Sequence, residues 1–198
     1  RLLPAALCVE VNSGITFAAE NGLTCIPLML AQPLLSERST LHPVVQARLP
    51  IVSSESGRLH VYRPKDGGEE HYTMEIGRAD RSKPVLARLH SACFTGDVMG
   101  SLKCDCGPQL QEAIRLIEEN GHGYVIYIRD HEGRGIGLTE KLKAYILQNE
   151  GLDTVDANLQ LGHSVDSRDW SEAISILKNL GLSSIQLLTN NPEKVKAV

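Results

Sequence analysis

Three of the five cysteines in this chain of 198 residues lie within fourteen residues of one another. Cys93, Cys104 and Cys106 follow the pattern C-x10-C-x-C. Cysteine thiolates are good ligands for Zn2+, and three protein ligands leave the fourth tetrahedral position open to water, as in catalytic zinc sites. His90 precedes Cys93 by three residues and could instead complete a closed structural site. The spacing predicts a metal site in either case, and a catalytic zinc is the favoured interpretation.

A glycine-rich loop lies between a predicted strand and a predicted helix, where residues 132–137 read E-G-R-G-I-G. It lacks both the Gly-Lys-Ser/Thr ending of a Walker loop and the spacing of a dinucleotide fingerprint. Backbone N–H groups at the start of the following helix can bind anionic or polar groups, although a tight turn explains the glycines equally well. The carboxylate of Glu132 could accept two adjacent donors, such as those of a guanine edge.

Two further segments combine charged and hydroxyl side chains. Asp166 precedes Arg168 by two residues, a pattern that usually means a solvated ion pair. In the segment T-N-N-P-E-K, Asn191 is predicted to cap a helix that begins at the following proline, and Thr189 and Lys194 could hold a phosphate there. A simple capped helix explains this second segment equally well.

The surrounding sequence predicts an α/β fold. Residues 47–76 are strand-like, and a turn between residues 58–62 and 71–75 predicts an antiparallel hairpin. After Pro84, strands are predicted at 85–89, 124–128 and 184–188. Helices are predicted between and around them, at 108–120, at a segment that Thr139 would cap, and at 170–180. Such alternation predicts a mixed, largely parallel sheet flanked by helices, preceded by a small N-terminal antiparallel β portion. Ligands of such sheets collect where loops leave the carboxyl ends of the strands.

Composition and charge exclude several classes of protein. Lys and Arg number 20 against 24 Asp and Glu, and aromatic residues make up 4%, which argues against sequence-independent binding of nucleic acid. No apolar stretch approaches the length of a membrane span. We expect an N-terminal extension of unknown role over residues 1–45. A domain over 46–198 would follow, with its β portion at 46–83 and its α/β portion at 84–198. The start at Arg1 predicts a fragment of a longer chain.

Taken together, these segments resemble one family, the GTP cyclohydrolase II enzymes of riboflavin biosynthesis. The resemblance extends roughly from Arg88 to Lys194. Its motifs are R-L-H-S-A-C-F-T-G-D ending at Asp97, S-L-K-C-D-C-G ending at Gly107, H-E-G-R-G-I-G-L ending at Leu138, and L-L-T-N-N-P ending at Pro192.

The resemblance implies an activity and its requirements. The family converts GTP and water into 2,5-diamino-6-(5-phosphoribosylamino)pyrimidin-4-one, formate and pyrophosphate, the first step of riboflavin biosynthesis. It further implies one Zn2+ per subunit, Mg2+ carried by the substrate triphosphate, a homodimer and a cytoplasmic location, with neither nucleic acid nor membrane as a partner.

The resemblance also assigns residues. Cys93, Cys104 and Cys106 fall on the family's zinc ligands. Asp166 falls on its proton acceptor, Arg168 on its proposed nucleophile, and Tyr145 on a tyrosine implicated in catalysis. The positions that fall on GTP contacts are Arg88, Leu89, His90, Ser91, Ala92, Gln109, Glu132, Gly133, Arg134, Thr154, Thr189 and Lys194.

The sequence departs from the family pattern at two places. Ala92 stands where the family usually has a glutamate, and Asp130-His131 stands where it usually has a single glutamine. Two alternatives follow: a nucleotide-binding regulator that has lost turnover, and a cyclohydrolase-like paralogue with another substrate. A zinc nucleobase deaminase is disfavoured, because that class needs an H-x-E carboxylate and a P-C-x-x-C pair.

Overall fold

The computed structural model describes residues 41–65 and 67–198, together with residues 16, 19, 20 and 22. Residues 41–198 form one compact unit, and residues 1–40 form a separate one. The extension predicted over residues 1–45 therefore lies largely outside the described residues. Its last five residues belong to the first strand of the compact unit.

A six-stranded mixed sheet forms the centre of the compact unit. The strands are β1 (Leu41–Arg48), β2 (Arg58–Pro64), β3 (His71–Ile76), β4 (Val85–Ser91), β5 (Gly123–Ile128) and β6 (Ile185–Leu187). Their order across the sheet is β1-β2-β3-β5-β4-β6, with β4 parallel to both β5 and β6 and the remaining neighbours antiparallel. The predicted mixed sheet and the predicted β2–β3 hairpin are thereby confirmed.

Five α-helices connect or follow the strands in the described part of the chain. They are α1 (Cys106–Glu119), α2 (Gly137–Asn149), α3 (Thr154–Gln160), α4 (Ser171–Asn179) and α5 (Pro192–Ala197). The prediction that Thr139 caps α2 is wrong, because the helix begins two residues earlier with Ile136 at its N-cap and no side-chain cap. None of the described helices combines the length and apolarity needed to cross a membrane.

Two apolar clusters cover the two faces of the sheet, and the alternation of β5 divides its residues between them. Ile126 and Ile128 are fully buried in the larger cluster, together with Ile176 of α4. Val125 belongs to the second cluster, with Ile117 of α1. Because β5 is buried on both faces, its sequence is a nearly continuous apolar run.

The parallel strands bring three loops to one edge of the sheet. β4, β5 and β6 all end there, and the Ala92 N–H donates to the Ile128 carbonyl at 2.9 Å. The Leu188 N–H donates to the Ala87 carbonyl at 2.8 Å and so fixes the segment after β6 beside β4. The segments that carry the thiols, the glycine loop and the last helix therefore meet at this edge.

Candidate active site

The three cysteines predicted as metal ligands converge at the end of β4 and the start of α1. Their sulfur atoms all lie within 4.8 Å of one another, and Cys93 Sγ and Cys104 Sγ are 3.5 Å apart. Tetrahedral zinc with bonds of about 2.3 Å places its sulfur ligands roughly 3.8 Å apart, so the cluster fits that ion. Among the described residues, His90 is not part of this group, since its Nε2 lies 3.0 Å from Asp97 Oδ1. The arrangement favours three protein ligands over a closed four-ligand site.

A tight turn over Phe94–Val98 encloses the thiols. A Cβ atom built at Gly96 would lie 2.8 Å from Cys104 Sγ and 3.1 Å from Cys93 Sγ. The Gly96 N–H also points at Cys93 Sγ, at 3.3 Å. Any side chain at this position would therefore collide with the sulfur atoms of Cys104 and Cys93.

The buried carboxylate of Asp97 holds this turn against the sheet. It accepts hydrogen bonds from the Cys93 N–H at 3.0 Å and from the Tyr127 hydroxyl at 2.8 Å, and it pairs with His90. Burial acts to raise the pKa of Asp97, but the bonds from His90 and Tyr127 bring it below its usual value. The backbone of Cys93 is thus held in place by an ionised carboxylate.

Lys141 of α2 contacts the thiol cluster, which sequence reasoning missed. Its Nζ lies 2.9 Å from Cys93 Sγ and 2.7 Å from Glu132 Oε1. Burial acts to raise the pKa of Cys93, yet the hydrogen bond from Lys141 contributes to a net lowering that favours the thiolate. Lys141 precedes Tyr145 by four residues and therefore shares its helix face, a signal that the sequence did contain.

A cavity of about 460 Å3 opens beside the thiols. Among the described side chains that line it, six are cationic and one is a carboxylate. Such an excess of positive charge attracts an anionic ligand. The cations are Arg88, Lys103, Arg134, Lys141, Arg168 and Lys194, and the carboxylate is Asp105.

Arg88 lies in the wall of the cavity and connects three elements. Its guanidinium donates to the Leu188 carbonyl at 2.9 Å and to Gln109 Oε1 at 2.6 Å. Gln109 in turn donates to Asp105 at 2.6 Å. The Nε of Arg88 is buried and has no hydrogen-bond partner in the structure, so one donor beside the cavity is left unsatisfied.

Lys194 of α5 is a buried cation, and no carboxylate of the described residues bonds to it. Its Nζ donates to the Leu89 carbonyl at 2.9 Å and lies 5.1 Å from the centre of the Trp170 ring. Burial, followed by the neighbouring charges of Arg88 and Arg168, lowers the pKa of Lys194 to about 7. An anion in the cavity would offset this repulsion and favour the charged form.

Asp166 and Arg168 form a bidentate ion pair at the rim of the cavity. Arg168 Nε donates to Asp166 Oδ1 at 2.9 Å, and its Nη2 bonds the other oxygen. The arginine side chain is 13% exposed and donates from Nη1 to Ser91 Oγ at 3.2 Å. A solvated surface pair would not bury its arginine in this way. Arg168 therefore belongs to the cavity wall, whereas Asp166 does not line the cavity and supports the arginine from outside it.

The structure brings most of the predicted site residues together around this cavity. Those that line it, besides the three cysteines, are Arg88, Ser91, Ala92, Gln109, Gly133, Arg134, Tyr145, Thr154, Arg168 and Lys194.

Four of the predicted GTP contacts have side chains that do not line it. The side chain of Leu89 is fully buried in the core, and the imidazole of His90 is buried against Asp97. The Glu132 carboxylate accepts hydrogen bonds from Lys141 and from a backbone N–H. Thr189 Oγ1 accepts the Asn191 N–H at 3.0 Å.

Comparison of the sequence with known proteins assigns the chain to a family. The family model described as GTP cyclohydrolase II matches residues 42–198. The GTP cyclohydrolase-2 of Azospirillum brasilense is 44% identical over 204 residues, which cover 99% of this chain and 52% of that protein. The riboflavin biosynthesis protein RibBA of Salinispora tropica is 46% identical over 206 residues, covering 98% and 51% respectively. The chain spans about half the length of the curated relatives it matches.

The enclosure of the thiols predicts that Gly96→Ala abolishes metal retention. The added methyl group would collide with Cys104 Sγ, whereas the backbone conformation at Gly96 suits alanine, so the fold should persist. Zinc content after dialysis, measured by atomic emission, should fall to the level of Cys104→Ser. Met99→Ala, an exposed change just beyond the same turn, is the control and should retain zinc. Full zinc content in Gly96→Ala would contradict the proposed site.

The buried position of Lys194 predicts that anion binding takes up a proton. With a pKa of about 7, the charged fraction of Lys194 falls from about nine-tenths at pH 6 to about one-tenth at pH 8. Pyrophosphate binding should therefore weaken as the pH rises and should consume up to about one proton near pH 8. Calorimetry in buffers of different ionisation enthalpy measures this uptake. An arginine at this position stays charged over the whole pH range, so Lys194→Arg should lack the proton uptake that Lys194 contributes. Equal uptake in both proteins would contradict the assignment.

Proposed function

The chain belongs to the GTP cyclohydrolase II family, and on this premise we propose that it hydrolyses GTP to 2,5-diamino-6-(5-phosphoribosylamino)pyrimidin-4-one, formate and pyrophosphate. This would be the first step of riboflavin biosynthesis. One observation carries the proposal: a cluster of three thiols and an excess of cationic side chains share a single cavity. A ligand with a polyphosphate at one end and a hydrolysable ring at the other matches both features.

The phosphate end of the substrate is assigned to the cations that line the cavity. Lys194 and Arg88 would offset charge on the leaving pyrophosphate, together with Mg2+ carried by the triphosphate. Arg168 would act at the α-phosphorus, as nucleophile or by stabilising charge. A guanidinium is a poor nucleophile because it stays protonated. Asp166, bonded to two of its nitrogen atoms, is placed to polarise it or to accept its proton.

The base end of the substrate is assigned to the thiol cluster. Zn2+ held by the three cysteines would supply Lewis-acid activation of water for hydrolysis of the imidazole ring. Tyr145 lines the same part of the cavity, and the Nζ atoms of Lys103 and Lys141 lie 5.1 and 5.9 Å from the centre of its ring. Burial raises the pKa of Tyr145, so its hydroxyl stays protonated and can donate a proton during ring opening.

Recognition of the guanine edge by Glu132 stays a prediction. Its carboxylate already accepts the Phe94 N–H at 2.6 Å, the Lys141 ammonium at 2.7 Å and the Gly133 N–H at 3.0 Å. A carboxylate offers about four acceptor sites, so one remains, and a second donor of the base would have to displace one of these bonds. Reaching the base would require the Glu132 side chain to turn toward the main cavity, which it does not line.

Ala92 supports the second candidate, a nucleotide-binding protein without turnover. It lines the cavity immediately before Cys93, where the family usually places a carboxylate. The discriminating experiment is incubation with GTP and Mg2+, with formate and pyrophosphate measured separately. Equal amounts of both products support the cyclohydrolase. GTP binding without products supports the regulator, and turnover of another nucleotide in its place supports a paralogue with altered substrate.

We expect Arg168→Ala to abolish pyrophosphate release while zinc content and fold are retained. The rate of pyrophosphate release should fall by more than about a hundredfold. The variant removes the positive charge at the phosphorus, and it leaves Asp166 without the guanidinium that it would polarise. Arg115→Ala removes an exposed arginine from α1 and is the matched control, expected to leave the rate unchanged. Full activity of Arg168→Ala would remove its assigned role.

From the family resemblance we also propose a cytoplasmic homodimer with one Zn2+ per subunit. Sedimentation velocity at micromolar concentration should give a species of twice the chain mass of 21.6 kDa. A monomer alone under those conditions would contradict the dimer without affecting the assignment of the cavity.

A further inference from the structure

His131 is a buried group that the proposed reaction leaves unused. It belongs to the Asp130-His131 pair that replaces the single glutamine of the family pattern, and it is 1% exposed. Its ring packs edge-on against Trp170, with the ring centres 4.6 Å apart. The imidazole reaches the wall of the main cavity, so it lies near the reacting groups without a role assigned to it.

The surroundings of His131 determine which ring nitrogen carries its proton. Nε2 lies 2.7 Å from the Asp169 carbonyl oxygen, which can only accept, so Nε2 must donate. Burial, followed by the charge of Arg168, lowers the pKa of His131 to about 3, so the ring is neutral at physiological pH. His71 and Lys194 act in the same direction and Asp166 in the opposite one. In the neutral ring Nδ1 is therefore an acceptor.

That acceptor sets the orientation of a hydroxyl group. Ser91 Oγ lies 3.2 Å from His131 Nδ1, so the serine proton points at the imidazole. The lone pairs of Ser91 Oγ are then free to accept from Arg168 Nη1, also at 3.2 Å. Without His131 the hydroxyl could turn its proton toward the guanidinium and place two donors against each other.

Trp170 completes the support of the same guanidinium. The Arg168 guanidinium carbon lies 5.3 Å from the centre of the Trp170 ring, within the range of a cation–π contact. The ring of His131 is nearly perpendicular to the same Trp170 ring, at 84°. Arg168 is therefore held by Asp166, by Ser91 and by Trp170, and two of these three partners contact His131.

We propose that His131 is a positioning residue, which acts through Ser91 to fix the orientation of the Arg168 guanidinium toward bound phosphate. The inference rests on the proposed function for the reaction, but the positioning itself concerns anion binding as well as turnover. His131 does not touch the reacting atoms in this arrangement, so its effect must pass through Ser91.

A double-mutant cycle tests this dependence. His131→Phe and Ser91→Ala should each lower kcat for pyrophosphate release about tenfold, with zinc content unchanged, because each breaks the same chain of hydrogen bonds. The double variant should be no slower than the slower single variant. His131→Asn, which restores an acceptor toward Ser91, should recover part of the rate. Losses that multiply in the double variant would overturn the proposal.

The same cycle is run on the affinity for inorganic pyrophosphate, followed by the fluorescence of the chain's one tryptophan, Trp170. The affinity for pyrophosphate separates the positioning role of His131 from the proposed hydrolysis of GTP. Absence of GTP turnover with a non-additive effect on pyrophosphate affinity would reject the proposed function and retain the positioning role. Additive effects on affinity would overturn the positioning role whatever the turnover.

Two further measurements exclude a purely structural role. In 15N spectra of the histidines, the signal that disappears in His131→Phe should show the Nε2–H tautomer from pH 5 to 8, and Ser91→Ala should shift its Nδ1 resonance. A titration near the ordinary histidine pKa, or the opposite tautomer, would overturn the proposal. His60→Phe is the control: it removes a buried histidine bonded to Glu75 across the hairpin, and should lower stability without changing kcat.

Discussion

Positive charge concentrated around one cavity is the constraint on which the rest of this structure depends. A buried cation is costly unless acceptors surround it, and cations facing one another raise that cost. For two of these cations the fold meets this demand with carbonyl oxygens at the ends of strands, since Lys194 bonds the Leu89 carbonyl and Arg88 the Leu188 carbonyl. These acceptors stabilise the cations without cancelling their charge. The cavity therefore remains attractive to an anion, whereas carboxylates at the same places would have neutralised it.

β4 couples the two ends of the cavity. Arg88 and Ser91 lie on this strand, and Cys93 follows its last residue by two positions, so one rigid element positions a cation of the cavity wall, the serine beside Arg168 and a cysteine of the thiol cluster. Hydrogen bonds to β5 hold the strand on one side and the segment after β6 holds it on the other. A shift of this strand would move the thiol cluster and the neighbouring cations together, which suits the proposed reaction, in which a phosphate bond and a ring bond of one substrate are broken.

Local sequence patterns predicted helices and strands well where the apolar residues of a segment recur on the face that is buried in the fold. The helix expected over residues 108–120 is α1 (Cys106–Glu119), because Ala113 and Ile117 recur on one buried face and the chain turns at Gly121. The seven-residue helix α3 (Thr154–Gln160) was missed, since Val155 and Leu159 are exposed and give no buried stripe. The cap predicted at Thr139 failed because positive φ angles at Gly133, Gly135 and Gly137 let the chain enter α2 without a side-chain cap.

The sequence by itself determined the chemical types at this site: three thiols at metal-binding spacing, an acid–arginine pair, and a capped helix carrying Lys194. Each of these features consists of a few residues that lie close together in the sequence. Only the tertiary structure decided that His90 pairs with Asp97 and not with the metal site, that Lys141 reaches Cys93, and that His131 directs the proton of Ser91. The physical reason is distance along the chain. Ser91 and Arg168 are 77 residues apart, and their contact exists only because parallel strands end at the same edge of the sheet.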